Sequence, residues 1–386
     1  MRALFRVVFF PLLLAGAGCG TPPGHRGVAT EQVMRTVNVF YATDRLPEST
    51  APGEQRYGSQ RGYAGSGGCE LGVCQVEIRR ERNHLQTSPL PKSPRRLVSV
   101  TSTEAMTESR FYDRLRERMW YSGDNETFVF IHGFNNSFEG AVTRTAELWY
   151  DLGFDGPPIT YSWPSRGGSL WSGVFGYFAD SETIKWSVDH LAGFLLDLVD
   201  ETSANRLAAD SPARIHLVAH SMGSRLLTQA LLAVADDLNR MDRPVFCDVI
   251  LAAPDIDRDL FREVIVLGLL RSRVAEHYTL YASSSDNVIK TSQKLQAYPR
   301  AGNADEGLVA IHHDQFDTID ASAVKSGWLA LNHDYFITEP RVLQDLIEIL
   351  RRGNRDPSAY GRVMTKRDEQ LGAPWVLLPL ASVETP

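Results

Sequence analysis

One serine stands where a hydroxyl group could act as a nucleophile. Ser221 lies in LVAHSMGSR, where the apolar run RIHLVA ends and a helical pattern begins at Met222. A sharp turn from a strand into a helix lifts its central residue above the sheet and needs small neighbouring residues. Ala219 and Gly223 meet that need, although the first glycine of G-x-S-x-G is absent. The segment predicts a nucleophilic serine, with a helix-capping serine as the alternative.

A serine hydroxyl needs a general base, and the base needs a third group that orients it. In hydrolases built on this turn, the acid and then the histidine follow the serine along the chain. The histidines after Ser221 are His277, His312, His313 and His333. His333 lies in ALNHDYF, between the last predicted strand and the closing helix, so we predict that it is the base. We interpret His312 and His313 as surface or rim histidines.

Two aspartates qualify as the acid, because each one follows a late strand. Asp286 lies in YASSSDNVI, after the strand HYTLYA, and Asp255 lies in LAAPDID, after the strand that follows the elbow helix. We favour Asp286, and Asp255 is otherwise typical of a turn at a strand end. If Asp286 is the acid, His277 is excluded as the base because it precedes the acid.

The turn after TFVFIHG can supply hydrogen-bond donors. Acyl transfer needs donors where negative charge develops on the substrate oxygen. The turn His132-Gly133-Phe134-Asn135 lies where one backbone N–H is usually supplied, and the residue after the nucleophile supplies the other. We therefore predict an oxyanion hole formed by Phe134 and Met222, and we expect His132 to be structural.

An alternation of strands and helices must position these residues. Continuous apolar strands are typical of a parallel sheet covered on both faces, so we predict a doubly wound α/β sheet with helices on both faces. Residues 45–68 are expected to form a surface loop, and WVLLPL near the C-terminus is not assigned. The strands predicted from the sequence are VNVFYATDR, CQVEIRR, RRLVSVTST, TFVFIHG, PPITYSW, RIHLVA, VFCDVILAA, HYTLYASS and FDTIDAS.

The N-terminus, MRALFRVVFFPLLLAGAGCG, has the three parts of a secretory signal. Arg2 and Arg6 precede an apolar run that is too short to span a bilayer. Cleavage could follow Ala15-Gly16-Ala17, or it could precede Cys19 as in a lipoprotein. We favour the lipoprotein, with residues 1–19 as its signal and a lipid on Cys19 that anchors the protein to an envelope membrane. The alternatives are a periplasmic or secreted protein and an uncleaved membrane anchor.

Export would place the remaining cysteines in an oxidising compartment. Cys69 and Cys74 lie close together in the sequence, so we predict a disulfide between them. Cys247 lies in PVFCDVILAA and is predicted to be a small buried residue.

The composition excludes some classes of protein. The chain has 386 residues, of which 43% are hydrophobic, enough for one large core or two smaller ones. Its 40 basic and 47 acidic residues are interspersed and give a net charge of -7, so no basic face is expected to bind nucleic acid. No C-x-x-C pair occurs, and His312 and His313 lack a third ligand, so we predict no metal site.

Several segments, in order along the chain, resemble a bacterial family of α/β-hydrolases of unassigned function that is esterase- and lipase-like. They extend from about Val37 to Phe336. The matching segments are VNVFYATDR, FVFIHGFNNSFEGA, ITYSWPSRGG, YFADS, LVAHSMGSRLL, LAAPDID, YASSSDNVI, and FDTIDAS with NHDYF.

This resemblance implies an α/β-hydrolase fold and hydrolysis through an acyl-enzyme, with Ser221, Asp286 and His333 as the triad. It implies no cofactor and no particular substrate. We expect a linker at residues 20–35, the hydrolase domain at 36–353, and a C-terminal extension of unassigned role at 354–386.

The leading hypothesis is a serine hydrolase that acts on a small-molecule ester or acyl substrate. The alternative is a non-catalytic envelope lipoprotein that uses the same fold to bind lipid or envelope components. A nucleophile, acid, base and oxyanion loop in the correct order favour the enzyme, because a binding module need not keep all four. The sequence does not predict an oligomeric state.

Overall fold

The central strands of the fold are buried on both faces. Every residue of Glu126–Ile131, Pro158–Ser162 and Phe246–Ala252 is buried, as expected inside a parallel sheet with helices on either side. The computed structural model describes residues 32–49, 56–62, 68–81, 96–166, 173–203, 212–241, 243–305, 308–311, 313–324, 333–359, 362, 364–366 and 374–378. The predicted signal, Cys19 and His312 lie outside the described residues.

The strands of the described chain are β1 (Gln32–Thr43), β2 (Arg45–Ser49), β3 (Arg56–Arg61), β4 (Glu70–Glu81), β5 (Arg96–Met106), β6 (Glu126–Ile131), β7 (Pro158–Ser162), β8 (Arg214–His220), β9 (Phe246–Ala252), β10 (Ala275–Ala282), β11 (Phe316–Asp320), β12 (Met364–Lys366) and β13 (Trp375–Leu377). The main sheet has the order β12-β13-β11-β10-β9-β8-β6-β7-β1-β4-β5. From β13 to β1 its neighbouring strands are parallel, and antiparallel strands occupy both edges.

The helices are α1 (Glu108–Tyr121), α2 (Phe138–Leu152), α3 (Gly173–Ser203), α4 (Met222–Ala233), α5 (Ala235–Leu238), α6 (Arg258–Leu260), α7 (Val266–Ser272), α8 (Asn287–Gln296), α9 (Tyr335–Thr338) and α10 (Pro340–Leu350). A π-helical turn, Phe261–Ile265, lies between α6 and α7. None of the helices in the described ranges is long and apolar enough to cross a membrane.

The helices pack against the sheet through two large apolar clusters and a smaller third one. The two large clusters contain residues of different helices. One contains Leu115 of α1, Leu195 of α3 and Leu226 of α4. The other contains Leu148 of α2 and residues of α8 and α10. The doubly wound α/β architecture predicted from the sequence, with helices on both faces of a mostly parallel sheet, is therefore confirmed.

The two ends of the predicted domain differ from the structure. β1 begins at Gln32, within the predicted linker, and the predicted extension contributes β12 and β13 to the main sheet, where β13 is parallel to β11. The predicted loop at 45–68 contains an antiparallel hairpin of β2 and β3. The strands β2, β3, β12 and β13 are too short to show the alternating apolar pattern by which a strand is recognised in a sequence.

The predicted disulfide between Cys69 and Cys74 is wrong, because both thiols are free. Cys74 lies within β4 and packs with Val39 on one face of the sheet, whereas Cys69 packs against the α1–α3–α4 cluster on the other. Five extended residues span about 16 Å, and a disulfide needs Cα atoms within roughly 7 Å. Cys247, within β9, is buried as predicted.

Candidate active site

The elbow that carries Ser221 has a strained backbone. Ser221 joins β8 to α4 with φ 53° and ψ -122°, which residues other than glycine rarely adopt. Its N–H donates to Ala252 O, and its carbonyl accepts from Ser224 N. A Cβ built on Gly223 would lie 2.5 Å from His132 O, so the close approach requires glycine. The side chain of Ser221 makes no helix-capping bond, which removes the capping alternative.

The turn after β6 lies directly against this elbow. A Cβ built on Gly133 would lie 2.9 Å from Ser221 Cβ and 3.1 Å from His220 O. Met222 is the first residue of α4, where a helix leaves its N–H without an intrahelical acceptor. The Phe134 N–H has no acceptor among the described residues. The two amides predicted to form the oxyanion hole therefore lie in the turns that meet at Ser221, and neither has a hydrogen-bond acceptor among the described residues.

The predicted acid and the predicted base are in contact. His333 Nδ1 donates to Asp286 Oδ2 over 2.8 Å. The Asp286 side chain is fully buried, and that of His333 is 16% exposed. Asp286 comes directly after the turn that follows β10, and His333 comes just before α9. The structure thus brings together two residues that the sequence analysis paired.

The neighbouring carboxylate determines how His333 titrates. Burial by itself lowers the pKa of this imidazole, but the charge of Asp286 and the hydrogen bond to it raise the pKa above its ordinary value on balance. Because Nδ1 is bound to Asp286, Nε2 is the ring nitrogen that can exchange a proton. Within the described part of the chain, no hydrogen bond joins Ser221 Oγ to His333. Such bonds are often long before substrate binds.

His220, next to Ser221, supports His333. Its Nε2 donates to His333 O over 3.1 Å, and the two rings are 4.4 Å apart. The His220 ring also stacks on Phe336 at 4.5 Å. Burial and the nearby charge of His333 lower the pKa of His220, so its imidazole stays neutral. This role of His220 is not predicted from the sequence, where adjacency to Ser221 is the sole signal for it.

Asp255, the alternative acid, is bound by other groups. The Tyr177 and Ser292 hydroxyls each donate to its carboxylate over 2.6 Å. Arg300 Nε lies 3.3 Å from the same carboxylate. Among the described residues, no histidine hydrogen-bonds to Asp255. This set of partners favours a structural role for Asp255, close to the site because its N–H donates to Ser221 O.

The other histidines considered as candidates lie elsewhere. His313 is exposed, and its Nδ1 accepts from Gln315 N just before β11. His277 lies within β10, with Nε2 3.3 Å from Asp317. Among the described residues, no group of three His, Cys, Asp or Glu side chains could hold a metal ion.

Arg45 is a residue that the sequence analysis did not single out. It closes the segment VNVFYATDR and is 1% exposed. Its guanidinium contacts the turn after β6 through Asn136 O, and β7 through Ser162 Oγ. The position of an arginine just after an apolar strand is the signal that could have indicated this role. An arginine buried at such a position is rarely without partners, so it would be expected to bind neighbouring polar groups.

Comparison with known proteins gives one family match. Residues 107–351 match the family described as "Alpha/beta hydrolase of unknown function (DUF900)". The segment VNVFYATDR lies outside the matched residues. Comparison with curated proteins gives no match.

Three solved structures show weak similarity. A lipase-esterase related protein from Clostridium acetobutylicum ATCC 824 is 10% identical, with 60% of this chain and 95% of that chain covered and a TM-score of 0.27. Aspergillus fumigatus lipase B is 13% identical, covering 51% and 45%, with a TM-score of 0.26. Carboxyl esterase 2 from Tuber melanosporum is 10% identical, covering 73% and 81%, with a TM-score of 0.27. Similarity at this level carries no inference about substrate.

Proposed function

The chain belongs to the α/β-hydrolase family of unknown function that residues 107–351 match, and we propose that it is a serine hydrolase of carboxylic esters. The observation that carries this proposal is the buried hydrogen bond between Asp286 and His333, at the sheet edge that bears a serine on a strained elbow. Backbone strain of this kind costs about 1–3 kcal/mol and persists mainly at functional sites. A strained serine beside the Asp286–His333 pair therefore favours a catalytic role for the pair over a purely structural one.

In the proposed mechanism, Ser221 Oγ adds to the ester carbonyl carbon while His333 Nε2 takes the hydroxyl proton. The π electrons of the carbonyl move onto its oxygen, and the Phe134 and Met222 amides stabilise the resulting charge. When the carbonyl re-forms, the alkoxide leaves and takes the proton from His333 as an alcohol. Water then repeats the sequence on the acyl-enzyme, which releases a carboxylic acid and regenerates Ser221.

Asp286 has a supporting role in this mechanism. Its carboxylate holds the tautomer of His333 that carries the proton on Nδ1, and it stabilises the imidazolium that forms on proton transfer. His220 stays neutral and fixes the backbone of the same loop. The mechanism therefore needs no group beyond those of this chain and water.

The first experiment is labelling with a fluorophosphonate, which reacts with an activated serine. We expect the probe on Ser221 in the wild-type protein and no labelling in Ser221→Ala, which should remain folded by circular dichroism. Ser109→Ala is the matched control, because Ser109 is an exposed residue of α1. An unlabelled wild-type protein would contradict the proposal and favour a binding protein. Esterase activity retained in Ser221→Ala would contradict the assignment of Ser221 as the nucleophile.

A substrate panel then separates the possible reactions. Short- and long-chain p-nitrophenyl esters, thioesters and anilides test ester, thioester and amide hydrolysis with the same serine. We expect the highest kcat/KM with oxygen esters. A preference for amides or thioesters would keep the serine mechanism and replace the substrate class.

A further inference from the structure

The Arg45 guanidinium uses all of its N–H groups around the turn after β6. Nε donates to Ser162 Oγ over 2.8 Å, and Nη1 donates to Gly58 O over 2.9 Å and to Ser165 O over 3.4 Å. Nη2 donates to Asn136 O over 2.7 Å and lies 3.4 Å from His132 Nε2. A guanidinium has five donors in a fixed plane. Arg45 therefore ties β7 and the β2–β3 hairpin to the turn that precedes α2.

The partners of His132 determine its tautomer. Arg45 Nη2 can only donate, so His132 Nε2 must accept. Gly133 O can only accept, so the Nδ1–H of His132 must donate, over 2.8 Å. The two contacts agree on one neutral tautomer, with its proton on Nδ1. His132 consequently links the guanidinium to the carbonyl of the next residue.

His132 is built to remain neutral. It is 1% exposed, its ring stacks on Trp163 at 5.2 Å, and its carbonyl accepts from Trp163 Nε1 over 2.7 Å. Burial, together with the charge of Arg45, lowers the pKa of His132 to about 3. The tautomer that donates to Gly133 O therefore persists throughout the pH range in which a serine hydrolase works.

The carbonyl of Gly133 fixes the direction of the next amide. Gly133 O accepts from His132 Nδ1 and, over 3.2 Å, from Asn136 Nδ2. In a trans peptide the C=O and the following N–H point in opposite directions. The Phe134 N–H therefore points away from His132 and Asn136. Because Gly133 abuts Ser221, this amide is held beside the nucleophile.

We propose that Arg45 and His132 are positioning residues that orient the Gly133–Phe134 peptide, so that the Phe134 N–H binds the substrate oxygen as negative charge develops. The inference rests on the proposed function. Neither side chain needs to touch substrate, because both act through the backbone of the turn. If either is lost, the peptide can rotate and the oxyanion hole loses one donor.

The test uses substitutions at both positions in the full chain. His132→Leu removes the donor to Gly133 O, whereas His132→Asn keeps an N–H near the position of Nδ1. Arg45→Met removes the guanidinium, and Arg61→Met is the matched control, because Arg61 ends β3 and bonds to Thr183 instead of the turn. The readouts are kcat and KM for p-nitrophenyl butyrate, inhibition by phenylboronic acid, and melting by circular dichroism.

We expect His132→Leu and Arg45→Met to lower kcat by about 100-fold, as loss of one oxyanion donor does, with little change in KM. Boronic acid affinity should fall in parallel, because the tetrahedral adduct uses the same donor. His132→Asn should recover most of the activity, and Arg61→Met should match the wild type. If Arg45→Met does not fold, the comparison of kcat between His132→Leu and His132→Asn tests the positioning role by itself.

Failure of this inference is distinguishable from failure of the proposed function. A wild-type protein that neither reacts with a fluorophosphonate nor hydrolyses an ester overturns the proposed function. An active wild type accompanied by a folded His132→Leu with unchanged kcat overturns only the positioning role. A raised KM with unchanged kcat has the same meaning, because it would assign His132 to substrate binding in the ground state.

Discussion

Asp286 divides its two carboxylate oxygens between a helix and His333. Oδ1 accepts from the backbone N–H groups of Val288 and Ile289, each over 3.0 Å, and so caps α8. Oδ2 faces His333 Nδ1. The capping bonds fix the position of the carboxylate, since an N-terminal cap typically contributes about 1 kcal/mol. The orientation of His333 is therefore set by the start of a helix.

The first prediction concerns pH. His333 must be neutral to accept a proton, and its pKa is raised by the charge of Asp286 against the effect of burial. We expect kcat/KM to fall on acidification through a pKa above 6.5, the ordinary value for histidine. Asp286→Asn should lower kcat by about 10⁴-fold and move the remaining acid limb to lower pH. A pH profile of both proteins checks this, and an acid limb that does not move argues against the pair.

The second prediction separates the two aspartates. Asp255→Asn disturbs the bonds to Tyr177, Ser292 and Arg300, so it should lower the melting temperature while kcat stays within about tenfold of wild type. Asp286→Asn should instead have its main effect on activity, with a large loss of kcat. Paired melting curves and kinetics on the two variants check this. If Asp255→Asn is the more damaging to kcat, Asp255 acts in catalysis.

The sequence predicts the parts of the fold whose signals are local. Ser137 begins α2 as a cap that accepts from Gly140 N, and Gly153 ends that helix with φ 57°. The continuous apolar strands predict the parallel sheet, and chain order with the positions of the late strands leaves Asp286 and Asp255 as the candidate acids for His333. Long-range partners give no such signal. The short strand β13 is recognisable only from its pairing with β11. The hydrogen bond from His220 to His333 joins residues that are 113 positions apart in the sequence.

Cys69 and Cys74 show how short sequence spacing misleads. Two cysteines five positions apart form a disulfide only if the chain turns between them, and β4 keeps the chain extended. The extended conformation is determined by pairing with β1 and β5 on either side. These partners lie far away in sequence, so the segment itself does not reveal them.

The third prediction therefore concerns these thiols. After air oxidation of the folded protein, alkylation in denaturant should modify both Cys69 and Cys74. The melting temperature should be the same with and without dithiothreitol, since no cross-link restricts the unfolded chain. Peptide mass spectrometry checks the first result. A disulfide-linked peptide joining the two cysteines would contradict the description of β4 as one continuous strand.

The fourth prediction tests the approach of the turn to the elbow. Gly133→Ala adds a Cβ that would lie 2.9 Å from Ser221 Cβ, so the turn or the serine must move. We expect a loss of about 100-fold in kcat, comparable to the loss of an oxyanion donor, with the fold retained. Gly193→Ala is the control, because a Cβ there meets no atom within 4 Å. It should stabilise α3 by about 0.5–1 kcal/mol. Equal kcat in the two variants would contradict the close contact.

A buried ion pair far from Ser221 along β8 links stability to pH. His216 Nδ1 lies 3.0 Å from Asp248 Oδ2, and Arg355 Nε lies 2.8 Å from Asp248 Oδ1. Burial raises the pKa of Asp248, but the bonds from His216 and Arg355 lower it on balance. Burial likewise lowers the pKa of His216, and the bonds to Asp248 and Glu126 raise it on balance. Both groups therefore favour their charged forms in the folded protein.

The fifth prediction follows from these two shifts. A lowered carboxyl pKa contributes stability above the ordinary value of 3.8, and this is lost as pH falls through the folded value. A raised imidazole pKa contributes stability below 6.5, and this is lost as pH rises through the folded value. Asp248→Asn should therefore destabilise the protein most between these pH values, by about 3 kcal/mol. Urea unfolding across pH measures this, with the exposed Asp237→Asn as a control that should cost under about 0.5 kcal/mol. A destabilisation independent of pH would mean that Asp248 acts through packing alone.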